Sequence, residues 1–214
     1  MTFTRHPLNK AFNWATLRPP FRCITEEQAV AYDELGYFVM ENAFDPASVQ
    51  DVMAEIDPYE DELEAQLLKA DGAKVFISRA GEITFTTHLA VRSQRLRRFV
   101  GRAPLADVYN DLIGPDVRLY WDHYATETGL VCFDESRAAV PAPVGAGGMV
   151  VLSSLTPRCT GPNRTDAVRK AYIVQYAHDG AAVAFEEPSG ILRHVSADEP
   201  DRQFLVLRDG QQAI

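Results

Sequence analysis

The stretch Val117-Arg118-Leu119-Tyr120-Trp121 separates two parts of the chain that differ in character. Its branched and aromatic residues predict a β-strand. Two later apolar runs, Met149-Val150-Val151-Leu152 and Ala171-Tyr172-Ile173-Val174-Gln175-Tyr176, predict strands as well. We therefore expect the C-terminal half to be mainly β-structure, with these three strands paired in one core.

Helix signals concentrate before that stretch. Thr25-Glu26-Glu27-Gln28 has the form of a capping box, in which the Thr25 hydroxyl accepts a hydrogen bond from the backbone N–H of Gln28. Gly36 is placed to end that helix in the left-handed conformation. Asp45-Pro46 combines an N-cap acid with proline at the first helical position, so a second helix is expected to begin there. Pro58 is expected to end it.

Further elements complete the predicted N-terminal half. Residues 59–70 are expected to form a separate helix, and Leu89–Phe99 and Pro104–Ile113 two more. Lys74–Ile77 and Ile83–Thr86 flank a turn signal and predict a hairpin.

Length and pattern together predict one α+β domain over residues 1–214. Residues 1–24 are expected to form an irregular surface arm. The mainly helical part covers 25–116, and the β core covers 117–214.

The charge balance and the cysteines exclude several classes of partner and location. The chain has 30 acidic and 21 basic residues, which gives a formal net charge of −9. Phosphate binding needs a positive surface, so no nucleic-acid partner is expected.

No apolar run approaches the ~20 residues that span a bilayer, and the first residues lack the apolar core of a signal peptide. The three cysteines are widely spaced, which favours the reducing cytoplasm.

Arg169 lies at the start of the third predicted strand. Strand alternation places it on the same face as Ala171, Ile173 and Gln175. An arginine that points into a β-lined cavity needs a carboxylate or a phosphate, because an unpaired buried charge is costly. Its partner is either a ligand of that kind or a structural Asp or Glu of this acidic protein.

The five histidines form no recognisable metal site. No two lie four residues apart, and none is followed two positions later by Asp or Glu. His123 adjoins Asp122, but neighbouring residues of a regular strand face opposite sides and cannot bind one metal ion. His88, at a strand-to-helix junction, is expected to serve local capping or packing.

Three stretches of the chain resemble phytanoyl-CoA dioxygenase-like proteins. They are Ile24-Thr25-Glu26-Glu27-Gln28 through Leu35-Gly36-Tyr37-Phe38-Val39, Gly114 to Trp121, and Gly147 to Tyr176 with its Gly-Pro-Asn…Arg pattern. Members of this family are Fe(II)- and 2-oxoglutarate-dependent oxygenases with a double-stranded β-helix core of the jelly-roll, cupin-like kind. The resemblance implies a helical N-terminal half packed on such a core, and hydroxylation of a small or lipid-like substrate.

The family also implies functional positions. Its iron ligands are a His-x-Asp on an early core strand and a distal His, and an Arg eleven residues beyond that His binds the carboxylate of 2-oxoglutarate. Arg169 matches this last position, and Arg158 stands where the distal His is expected.

The His-x-Asp should follow Trp121 shortly, but none occurs. Only about 20 residues separate this point from the segment that leads into the next matching strand, so several core strands are missing and the β core is predicted to be incomplete. No metal ligand is assigned. His123 is the nearest candidate for a replacement metal ligand, with Glu127 or Asp134 as the residue that would join it.

The resulting hypothesis is a degenerate dioxygenase, a pseudoenzyme that has lost its Fe(II) ligands and binds 2-oxoglutarate weakly through Arg169. The alternatives are a non-catalytic carboxylate- or partner-binding module, a non-oxidative isomerase or cyclase that uses the remaining cavity with His123 as acid or base, and a fragmentary gene product. The sheet edge left by the missing strands is expected to promote a homodimer.

Overall fold

A computed structural model describes residues 16–75, 78–125, 139–158, 161 and 163–214, with the backbone alone at 123–125. The helices are α1 (Glu26–Leu35), α2 (Pro46–Leu67), α3 (Leu89–Arg92), α4 (Gln94–Val100) and α5 (Leu105–Ile113). The strands are β1 (Tyr37–Met40), β2 (Lys74–Val75), β3 (Ser78–Arg79), β4 (Phe85–Thr87), β5 (Val117–Ala125), β6 (Met149–Leu152), β7 (Ala171–His178), β8 (Ala182–Glu186), β9 (Leu192–Ser196), β10 (Leu205–Arg208) and β11 (Gln211–Gln212).

The α+β class is confirmed. Helices dominate the N-terminal half and antiparallel sheets the C-terminal half, and the described strands form no closed barrel.

β5 is the central strand of a five-stranded antiparallel sheet. β7 pairs along its whole length on one edge. On the other edge, β4 pairs with the C-terminal end of β5 and β10 with its N-terminal end, and β11 extends the sheet beyond β10. β5 therefore pairs directly with three of the other four strands of this sheet.

The helices cover one face of this sheet. Ala90, Val100 and Ala106 pack against Val117 and Leu119 of β5 in the largest buried cluster. Burial of this apolar area is the main favourable contribution to folding. A second cluster joins α1, α5 and the β1–β6 pair, and a third joins α2 to α3 and α4.

The expectation that the three predicted strands pair in one core is wrong for Met149–Leu152. This strand pairs with Tyr37–Met40 in a separate two-stranded sheet. The left-handed Gly36 (φ 79°) ends α1 and turns the chain directly into β1, which then lies beside β6. The two other strands pair as expected.

Three local boundaries also differ from prediction. Pro58 does not end α2, which continues to Leu67, and Ile56 and Leu67 are both buried on either side of it. That burial outweighs the roughly 3 kcal/mol that an internal proline costs.

The helix expected at Leu89–Phe99 is two helices, because the Ser93 hydroxyl accepts hydrogen bonds from backbone N–H groups of the next turn and so begins α4. β4 pairs with β5 rather than in a local hairpin, and β2 pairs with β3.

Candidate functional site

A β-bulge in β5 decides which side chains enter the core. Leu119 lies opposite Tyr176, whereas Trp121 lies opposite Gln175, so Tyr120 is an extra residue with no counterpart on β7. Side chains alternate along a regular strand, and a bulge shifts that alternation by one. The buried face therefore continues from Leu119 to Asp122 rather than to Trp121.

Asp122 is consequently a fully buried carboxylate in the middle of the sheet. Its Oδ2 accepts hydrogen bonds from the backbone N–H of Ala90 at 2.8 Å and from the phenol O–H of Tyr172 at 2.9 Å. Its Oδ1 is buried and has no hydrogen-bond partner among the described residues. Burial raises the pKa of this carboxyl, and the two hydrogen bonds partly counteract the rise.

His88 lies next to this carboxylate, at the junction that the sequence indicated. It precedes α3 in the left-handed conformation (φ 56°), an uncommon one for a residue with a side chain. Its backbone N–H donates to the carbonyl of Asp122, and its ring packs against Trp121 with centroids 4.4 Å apart. Packing is the role predicted for it.

Two small cavities open near these elements. One, of about 110 Å³, is lined by His88, Tyr120, Trp121, Arg202 and Gln203. The other, of about 230 Å³, lies where β6 ends and is lined by Asp33, Glu34, Leu35, Gly36, Ser153, Leu155, Thr156 and Pro157. The second cavity borders the segment that carries Arg158.

The two predicted arginines occupy different environments. Arg169 is half-buried two residues before β7, and its Nη2 donates to the carbonyl of Gly161 at 2.9 Å. The adjacent Lys170 pairs with Asp57 and Glu60 of α2, on the helical side of the sheet. Arg158 is exposed after β6.

The structure describes only the backbone of His123, which pairs with Ile173 on one side and Thr87 on the other. Glu127 and Asp134, its suggested companions, lie outside the described residues. Within the described ranges, no group of three His, Cys, Asp or Glu side chains is placed to hold a metal ion.

In the sequence, Asp122 stands out only as the neighbour of His123, and its burial was not predicted. A carboxylate beside aromatic residues in a predicted strand is the one signal that could have drawn attention to it. The bulge itself depends on the register between β5 and β7, which local patterns do not contain.

Comparison with known proteins adds no relative: no protein-family model and no curated protein matches the chain. Among the described residues, no helix is long and apolar enough to cross a membrane.

Proposed function

We propose that the protein is a non-oxidative member of the phytanoyl-CoA dioxygenase-like group that binds a small dicarboxylate through Arg169. The observation that carries this proposal is the placement of Arg169. It precedes the strand that pairs along the whole of β5. This place matches that of the carboxylate anchor in the family that the sequence resembles, although Arg158 stands eleven residues earlier, where the family has a histidine.

The surroundings of Arg169 support such a role. Lys170 turns towards α2, and successive residues of an extended chain point to opposite sides, so Arg169 is directed to the sheet face away from the helices. Trp121, Ile173 and Gln175 are half-buried on that face. A guanidinium beside a partly apolar wall suits a bidentate contact with a carboxylate.

The residues present do not fit the family's iron site. No histidine in the sequence is followed two positions later by Asp or Glu, and Arg158 replaces the distal histidine. A facial site for Fe(II) needs two histidines and a carboxylate that converge. A guanidinium about 4 Å from a divalent cation would be repelled by roughly 8 kcal/mol at an effective dielectric of 20. We therefore propose binding without iron-dependent oxidation.

Isothermal titration calorimetry tests this proposal. Succinate, glutarate and 2-oxoglutarate should bind with similar dissociation constants, on the order of 0.1–1 mM, because Arg169 contacts a carboxylate and not the keto group. The values should be the same with and without Fe(II). A charge-assisted contact contributes about 1.5–3 kcal/mol, so Arg169→Ala should weaken binding by about 10- to 150-fold.

The matched control is Arg164→Ala. Arg164 is exposed in the same segment, and its replacement changes the net charge by the same amount as Arg169→Ala. It should bind like the wild type. Arg158→Ala should weaken dicarboxylates more than monocarboxylates if Arg158 holds the second carboxylate. Absence of binding to all three ligands would refute the proposal, and preferential binding of 2-oxoglutarate only with Fe(II) would restore the oxygenase hypothesis.

A further inference from the structure

Three buried side-chain oxygens have no hydrogen-bond partner among the described residues. One, Oδ1 of Asn110, lies in α5, whereas the other two, Oδ1 of Asp122 and Oγ1 of Thr86, lie on the neighbouring strands β5 and β4. Asp122 is fully buried and Thr86 is 5% exposed. Buried polar side chains are nearly always hydrogen-bonded to protein or to an ordered water molecule, so each of these oxygens needs a partner.

Thr86 and Asp122 lie on the same face of the sheet. β4 and β5 are antiparallel, and Thr86 lies opposite Tyr124, two residues beyond Asp122. Opposite residues of antiparallel strands share a face, and so do residues two apart along one strand. The register of β5 shows no irregularity after Trp121, so the bulge does not disturb this arrangement. The two side chains therefore project from diagonal positions into the layer between the sheet and the helices.

The spacing of the two residues fits one water molecule between their oxygens. Diagonal neighbours of an antiparallel pair have Cα atoms ~7–8 Å apart. Both side chains are short, and no hydrogen bond joins Thr86 to Asp122 directly. A direct hydrogen bond brings two oxygens to ~2.8 Å, whereas a water molecule that bonds to both of them spans about twice that distance.

The chemistry of the two groups also selects water. Both donors that reach the Asp122 carboxylate, the N–H of Ala90 and the O–H of Tyr172, bond to Oδ2, so an ionised carboxylate needs a further donor at Oδ1. The Thr86 hydroxyl can donate and accept, and water does both at once. A divalent cation would require several oxygen ligands, and within the described ranges no three acidic, histidine or cysteine side chains converge on one point.

We propose that an internal water molecule bridges the two strands, donating to Oδ1 of Asp122 and accepting from the O–H of Thr86. Neither of the two cavities described above is lined by Asp122 or Thr86, so this water is separated from bulk solvent. It gives both carboxylate oxygens a donor, and it adds a side-chain link between β5 and the three-residue strand β4. Buried waters of this kind are part of the structure and are costly to remove.

A high-resolution crystal structure tests the proposal directly. The wild type should show an electron-density peak within about 3.2 Å of both Oδ1 of Asp122 and Oγ1 of Thr86. Thr86→Val keeps the shape of the side chain and removes the hydroxyl, so the peak should disappear. Thr86→Ser keeps the hydroxyl and should retain the peak, which separates the hydrogen bond from the packing of the methyl group.

Urea denaturation tests it independently, because the two possible states of Thr86 predict changes of opposite sign. If the hydroxyl bonds to a bridging water, Thr86→Val should raise the equilibrium constant for unfolding about 5- to 10-fold. If the hydroxyl has no partner, the same substitution removes an uncompensated polar group from the core and should lower that constant. Thr87→Val is the matched control, since Thr87 is half-buried on the opposite face of the same strand, and it should change the constant less than about threefold.

Stabilisation by Thr86→Val overturns the proposal. So does a well-ordered wild-type core that shows no peak between the two oxygens, or one in which the Thr86 hydroxyl contacts Asp122 directly. If Thr86→Val does not fold, the wild-type density decides alone. None of these measurements uses a dicarboxylate, so the outcome is independent of ligand binding at Arg169.

Discussion

Replacing Tyr172 with phenylalanine removes the O–H group that donates to Oδ2 of Asp122 over 2.9 Å and leaves the ring in place. That oxygen also accepts a hydrogen bond from the N–H of Ala90, and Oδ1 has no partner among the described residues. A hydrogen bond to a charged acceptor contributes about 1.5–3 kcal/mol. We expect urea denaturation at about pH 8 to show the free energy of unfolding of Tyr172→Phe lowered by about 2 kcal/mol.

The size of this loss should depend on pH. Burial raises the pKa of Asp122 above its usual value of 3.8, and the Tyr172 hydrogen bond lowers it in part. A carboxyl group whose folded pKa is raised stabilises the folded state below its unfolded pKa, and this stability is lost as pH rises through the folded pKa. Without the O–H the pKa rises further, so the loss in Tyr172→Phe should be smallest near pH ~4 and grow with pH.

Tyr176→Phe is the matched control, on the same strand and the same face. Its O–H donates to the neutral carbonyl of Val100 at 2.6 Å. We expect a loss of about 1 kcal/mol that does not change with pH. A loss in Tyr172→Phe that is equally independent of pH would show that Asp122 is not ionised in the folded protein, and the reasoning would be refuted.

Two further predictions concern α1 and its end. Thr25→Ala removes the hydroxyl that accepts from the N–H of Gln28, and thermal or urea unfolding should show a loss of about 1 kcal/mol. Gly36→Ala adds a Cβ that overlaps Thr156 Oγ1 at φ 79°, and the same assay should show a loss of about 2–4 kcal/mol. Gly81→Ala, which also has positive φ but open space around it, should lose only about 1 kcal/mol, and equal losses would contradict the steric explanation.

Signals carried by adjacent residues were predictable from the sequence. The capping box at Thr25, the left-handed Gly36 and the N-cap at Asp45 are all present. Each depends on hydrogen bonds within one helical turn, so the local sequence contains the information. The prediction that Pro58 ends the helix was wrong. The helix continues because Ile56 and Leu67 are buried against distant residues, which the local sequence does not reveal.

Long-range pairing was only partly predictable. The β5–β7 pair was expected, whereas the pairing of β6 with β1 joins residues more than 100 positions apart and left no local signal. For the site, the sequence predicted Arg169 at the start of a strand, and the structure places it two residues before β7. The sequence could not show that the Arg169 guanidinium donates to the carbonyl of Gly161, nor that the bulge at Tyr120 turns Asp122 into the core.

That bulge also explains how the two halves of the sequence are joined. Asp122 belongs to β5, accepts from Tyr172 of β7 and accepts from Ala90 at the start of α3. An ionisable group is costly in an apolar core unless it is hydrogen-bonded, so these two donors must stay in place for the carboxylate to remain there. The β1–β6 and β4–β5 pairs cross the same boundary. A chain cut between residues 116 and 117 would separate the two strands of each pair and leave Asp122 without the N–H of Ala90, so the helical half cannot be removed without exposing the sheet.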